Sequence, residues 1–162
     1  MKVNRLIISG AAVALVMAVL AGWFFWPDRG FVRADLTDPR AIERGRTVYT
    51  QNCASCHGAR LEGQPDWRSR RADGRLPAPP HDASGHTWHH SDEQLFGITK
   101  YGLAPYVQPG YESDMPAYEG TLSDSDIWAV LTFIKSSWPA RERAYQENIN
   151  RRTRDGAAKP PP

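Results

Sequence analysis

YTQNCASCHGARLEG, residues 49–63, holds the only two cysteines of the chain, Cys53 and Cys56, and sets His57 directly behind the second. Two thiols spaced C-x-x-C suit a thioredoxin-like redox centre. They could also share a zinc ion with distant histidines, since zinc usually takes four ligands. The third reading uses all three residues, because C-x-x-C-H is the signature of covalent haem attachment. Each thiol adds across one haem vinyl group to form a thioether. Residues three apart on a helical turn share a face, so both sulfurs reach one porphyrin edge and the next imidazole lies beneath the iron. The adjacent histidine favours haem over the disulfide and zinc readings. No second C-x-x-C-H occurs, so one haem is expected.

The compartment is read from the other end of the chain. Lys2 and Arg5 precede LIISGAAVALVMAVLAGWFFW, residues 6–26, which carries no charge. A run of about 20 apolar residues is what a helix needs to cross a bilayer core. Basic residues before it predict a cytoplasmic N-terminus with the remainder exported, and Trp23, Phe24, Phe25 and Trp26 suit the far interface. A cleaved signal peptide is the rival, because VLA at 19–21 offers small residues to a peptidase. The division expected is an anchor over 1–27, a tether over 28–37, a haem domain over 38–140 and a basic, largely disordered tail over 141–162. The tail expectation rests on RRTRDGAAKPPP, which lacks apolar periodicity. The chain beyond the anchor is long enough for one small domain.

That domain reads as all-α. DPRAIERGRTVYTQN predicts a helix into the haem motif with Ile42, Gly45, Val48 and Tyr49 on one face. Gly45 in mid-helix suggests a close helix contact, since glycine there costs about 1 kcal/mol relative to alanine. SDEQLFGITKY, residues 91–101, begins with a capping-box pattern at Ser91 and Gln94 and stops at Gly102. The strongest pattern is LSDSDIWAVLTFIKSSWP. Ser123 caps it, Asp126 takes the reciprocal box position, and Leu122 with Ile127 forms a staple. Ile127, Val130, Leu131 and Ile134 repeat at helical spacing. This helix is expected to cross the first near Gly45.

If His57 is one axial ligand, Met115 is the leading candidate for the other. It is the only methionine beyond the apolar run, in a loop just before the strong helix, with Pro116 behind it. A thioether paired with histidine raises a haem's reduction potential; the plainer role for methionine is core filler. The remaining histidines, His81, His86, His89 and His90, fall in one segment. They could form a copper or zinc site, supply an iron ligand in place of Met115, or line a loop over the haem.

With these residues in place, the chain resembles small monohaem bacterial cytochromes c of the His/Met type. The likeness covers about residues 38–140, through AIERGRTVYTQNCASCHG, DMPAY and LSDSDIWAVLTFIKSSWP. It implies a small cytochrome c fold of several helices around one covalent haem c, following an N-terminal transmembrane helix. The first and last helices cross, and one haem edge is exposed. It also implies a single-electron carrier rather than an enzyme. The protein is then expected at the bacterial cytoplasmic membrane, single-pass, with its haem domain on the periplasmic side. Expected partners are membrane-bound or periplasmic redox proteins, and nucleic acid is not among them. The site expected is Cys53 and Cys56 on the haem, with His57 and Met115 on the iron. The middle segment, LPAPPHDASGHTWHHSDEQLF, departs from the simplest members. A ligating histidine commonly donates its second ring N–H to a carbonyl, and Pro79 and Pro80 are the candidates to accept it. A haem enzyme, a gas sensor with an open iron, or a metal-handling protein using His81 to His90 is the alternative.

Charge is uneven along the chain. Residues 60–80 are basic through Arg60, Arg68, Arg70, Arg71 and Arg75, whereas 81–138 is acidic. That separation predicts an acidic Met115 side, with Glu112, Asp114 and Glu119 steering the protein to a basic partner.

Overall fold

The computed structural model describes residues 33–156. The expected anchor lies outside the described residues, among which no helix is long and apolar enough to cross a membrane. The elements are α1 (Pro39–Asn52), α2 (Ala54–His57), α3 (Asp92–Tyr101), α4 (Asp124–Ser136) and α5 (Ala140–Arg154). Short 3₁₀ turns lie at Thr87–His89 and Ala104–Tyr106. No strand occurs among the described residues, in keeping with the all-α reading.

Helices α1, α3 and α4 each start where the sequence provides a side-chain cap. Asp38 accepts from the Arg40 N–H at the head of α1, with Pro39 in the first helical turn. Ser91 accepts from the Gln94 N–H at α3, and Ser123 from the Asp126 N–H at α4. The buried face of α1 is Ala41, Gly45, Val48 and Tyr49. Ala41 therefore takes the place expected of Ile42, which is half-buried.

That face crosses α4 at Gly45. A Cβ there would strike the carbonyl oxygen of Ala129 and lie 2.8 Å from Phe133 Cβ. The two backbones are thus in contact, which only a residue without a side chain permits. Around the crossing, Val48, Tyr49, Leu61, Leu95, Ile127, Val130, Leu131, Ile134 and Trp138 form the core. Full burial of one such side chain stabilises by about 1.5–3 kcal/mol.

Two expectations at the chain ends change. The supposed disordered tail is helical from Ala140 to Arg154, with Gln146 and Asn150 fully buried. Its polar sequence hid this, because the helix docks by hydrogen bonds instead of an apolar stripe. The Asp92 carboxylate at the start of α3 accepts from Lys135 Nζ at 2.5 Å, Gln146 Nε2 at 3.1 Å and Asn150 Nδ2 at 3.0 Å. The Asp92 N–H in turn donates to Asn150 Oδ1 at 2.8 Å. A buried charge needs this degree of satisfaction. At the other end, the expected tether is already fastened by residue 35, where the Asp35 N–H donates to Thr132 Oγ1 at 3.3 Å.

Candidate haem-binding site

Cys53 closes α1, its N–H donating to the Tyr49 carbonyl, and α2 turns directly after it. The His57 N–H donates to the Cys53 carbonyl at 2.9 Å, so the whole C-x-x-C-H segment is one helical turn. Both cysteines are free thiols, Cys53 half-buried and Cys56 exposed. Burial, and then the nearby Cys56, push the Cys53 thiol up to about 11. It therefore stays protonated at neutral pH, and the pair does not read as an activated redox dithiol.

His57 is 8 % exposed and lies 2.8 Å through Nδ1 from the Pro79 carbonyl. A carbonyl only accepts, so Nδ1 carries the proton and Nε2 keeps its lone pair. Burial pulls the ring's pKa below its ordinary value, against the raising effect of the Pro79 bond. The imidazole is neutral and oriented by its second nitrogen, the state a metal-ligating histidine adopts.

The Pro79 carbonyl is aimed by a backbone latch. Gly63 N–H donates to the His57 carbonyl at 2.8 Å, Gln64 N–H to Ala78 at 2.9 Å, and His81 N–H to Leu61 at 2.8 Å. The Gln64 side chain accepts from the Ala78 N–H at 2.9 Å. Gly63 has φ +70°, and a Cβ on it would sit 2.5 Å from Pro80 N and 2.7 Å from Pro79 C. Any other residue would wedge the two segments apart. Pro80 has a different job: its carbonyl accepts from Thr87 Oγ1 at 3.4 Å.

Met115 is half-buried in the loop ahead of α4, its N–H donating to Ser113 Oγ at 3.0 Å. Three residues on, Tyr118 Oη donates to the Asn52 carbonyl at 2.6 Å, next to Cys53. Burial, and then Cys53 and Cys56, raise the Tyr118 pKa. The Met115 loop is thereby stitched to the edge of the C-x-x-C-H turn. On its other side the loop is held by arginines. Arg75 meets Asp114 at 2.6 Å and Glu112 at 3.1 Å, and Arg71 also pairs with Asp114. These bonds hold Asp114 below the usual carboxylate range. The basic and acidic segments that the sequence separates therefore neutralise each other in space. Glu112 and Asp114 do not form the expected free acidic face.

The four remaining histidines do not meet at one point, although His86 and His90 touch edge-on with ring centres 5.4 Å apart. His81 stacks on His57 with ring centres 4.0 Å apart and planes 22° apart. His86 stacks on Trp67, and His89 lies against Trp88 and Tyr145. Among the described residues no group of three or more His, Cys, Asp or Glu side chains is arranged to hold a metal ion. His81 is equally unsuited to the far side of an iron held by His57. Imidazoles bonded on opposite sides of one ion at about 2 Å each have ring centres about 6 Å apart, edge to edge and not face to face.

Two thiols on one helical turn beside a neutral histidine with a free Nε2 fit a covalently held haem. A cytochrome c family profile matches residues 42–138. The chain is 33% identical over 98 residues to a cbb3-type cytochrome c oxidase subunit CcoP of Azospirillum brasilense, covering 60% of this chain and 29% of that protein. To the same subunit from Azospirillum sp. (strain B510) it is 31% identical over 97 residues, with the same two coverages. The chain thus spans under a third of the length of these curated relatives. No solved structure matches. The chain belongs to the cytochrome c family, which implies a covalently bound haem c with its iron.

Proposed function

We propose that this cytochrome c is an electron carrier with His57 and Met115 as axial ligands, passing single electrons between larger redox proteins at a bacterial membrane. The observation that carries the reading is the His57 ring, neutral, buried and fixed by Pro79 with Nε2 left over. When bound, the haem iron supplies a one-electron couple. The chain's residues would hold it and set its surroundings: Cys53 and Cys56 would carry it through thioethers, and His57 Nε2 and the Met115 sulfur would ligate the iron. A filled second position leaves no place for a substrate, which separates a carrier from a haem enzyme or gas sensor. The stitched Met115 loop supports that arrangement, because a ligand on a fastened loop returns quickly after dissociation. The matched relatives are subunits of an oxidase, and a membrane-bound partner complex is the reading that fits them.

The test is the optical spectrum of the oxidised, haem-loaded protein. Methionine ligation gives a weak far-red band from sulfur-to-iron charge transfer. Met115→Ala is expected to abolish it and to lower the reduction potential, since a thioether favours the reduced iron. A wild-type protein without the band, or a reduced wild-type protein that binds carbon monoxide rapidly, overturns the assignment in favour of an open site.

A further inference from the structure

We propose that His81 is a positioning residue for the axial histidine, its ring acting as a clamp that sets the rotational angle of His57. The inference rests on the reading of His57 as an iron ligand. The Pro79 bond restrains His57 at one atom, Nδ1. A single hydrogen bond fixes where that atom points but leaves the plane of the ring free to swing about it. The parallel ring of His81, 4.0 Å away, removes this freedom, because a swing of either plane drives one ring into the other.

A clamp must itself be rigid, and His81 is held at every polar atom on its backbone and at its ring. Its N–H donates to the Leu61 carbonyl at 2.8 Å. Its carbonyl accepts from Trp138 Nε1 at 2.7 Å, and Trp138 is fully buried. Its Nδ1 lies 2.8 Å from the hydroxyl of the buried Thr87. The same hydroxyl stands 3.4 Å from the Pro80 carbonyl, so the ring is tied through Thr87 to the backbone beside Pro79. Tyr49 closes the remaining side, its ring edge-on to His81 at 6.4 Å. The stack is therefore anchored through Thr87 and Trp138, residues distant from His57 in the sequence.

The angle of an axial imidazole governs how the unpaired electron of oxidised iron is spread over the porphyrin. It is read in the pattern of haem-methyl shifts in paramagnetic NMR and in the g-anisotropy of the EPR spectrum. Wild type, His81→Leu, His81→Phe and Thr87→Val are compared as oxidised holoproteins. Leucine removes the flat partner, while phenylalanine keeps a stacking ring without the Thr87 bond. The expected result is an altered methyl-shift order and a broadened EPR signal in His81→Leu. His81→Phe should restore most of the wild-type pattern, and Thr87→Val should fall between. A leucine variant with the wild-type methyl pattern overturns the proposal. So does a phenylalanine variant displaced as far as leucine, which would trace the effect to histidine's polarity and not to stacking. A wild-type spectrum without histidine ligation overturns the His57 reading itself, before any variant is compared.

Discussion

The Tyr118 hydroxyl donates to the Asn52 carbonyl at 2.6 Å, joining the loop that carries Met115 to the last turn before Cys53. Tyr118→Phe deletes this bond and leaves a half-buried carbonyl without it. The expected loss is about 1 kcal/mol of stability. The far-red sulfur band should also disappear at a lower pH than in wild type, as other ligands compete for the iron. A variant with both quantities unchanged would show that the loop is held by other contacts.

Gly45→Ala adds a Cβ into the Ala129 carbonyl. In an exposed helix the change would stabilise by about 1 kcal/mol. Here overpacking, typically about 1–3 kcal/mol, opposes that gain. A net loss of up to about 2 kcal/mol is expected as a lower denaturant midpoint. A higher midpoint would mean that α1 and α4 do not cross in contact.

Replacing Cys53 or Cys56 by alanine should leave one thioether, with a shifted optical spectrum and poor maturation. With both replaced, acid–acetone extraction should remove all haem. Haem that stays with the doubly substituted chain would sink the attachment reading.

Arg75→Ala removes partners from both Glu112 and Asp114. Water and salt screen exposed ion pairs heavily, so global stability should fall only slightly. The local effect should be larger: faster exchange of added imidazole for Met115, with wild type approaching the variant's rate as salt rises. Salt-independent exchange identical in both proteins would show that the clamp does not restrain the loop.

Acid should destabilise the protein in two stages. Burial, then His90, His89 and Arg68, lower the pKa of His86; burial chiefly lowers that of His90, with Gln94 opposing. An unfolded chain protonates these rings below its ordinary value of about 6.5 while the native state resists. Above that pH both states are neutral and stability is level. As pH falls below it, the unfolded state binds more protons and stability declines. The carboxylates held low by arginines, such as Asp114 and Asp126, lose their contribution only in more acid solution. The denaturant midpoint should therefore drop between about pH 7 and 5.5; a His86→Gln, His90→Gln variant should reduce that slope without abolishing it, because burial holds the His81 ring well below its ordinary value too. A wild-type midpoint that is level across this range would contradict it.

The readable parts of the sequence were those governed by local physics. Capping at Ser91 and Ser123, the stripe of α4 and the need for a small residue at Gly45 all follow from spacing within one element, as does the helical turn of C-x-x-C-H. The Pro79 bond to His57 was legible as a chemical need, which narrowed the partner to two adjacent carbonyls. The missing parts depend on pairings distant in sequence. Nothing near Gly63 says that Pro79 will lie against it, and nothing near His81 says that it will stack on His57. Gly63, six residues past His57, carries nothing in its sequence context that reveals its positive φ. Charge placement misled for the same reason. Counting residues along the chain put Arg71 and Arg75 in one block and Glu112 and Asp114 in another, while the fold brings them together.

The polar knot under α5 separates two boundaries that are easily taken for one. The match to the cytochrome c family runs to residue 138, but Gln146 and Asn150, which solvate the Asp92 carboxylate in the interior, lie beyond it. A chain cut at the edge of the recognisable family would keep every haem-binding residue. It would leave a buried anion with Lys135 as its single remaining partner among these groups. The family match is thus shorter than the unit of folding, and any smaller working version must extend through α5 or exchange Asp92 and Lys135 together for an apolar pair.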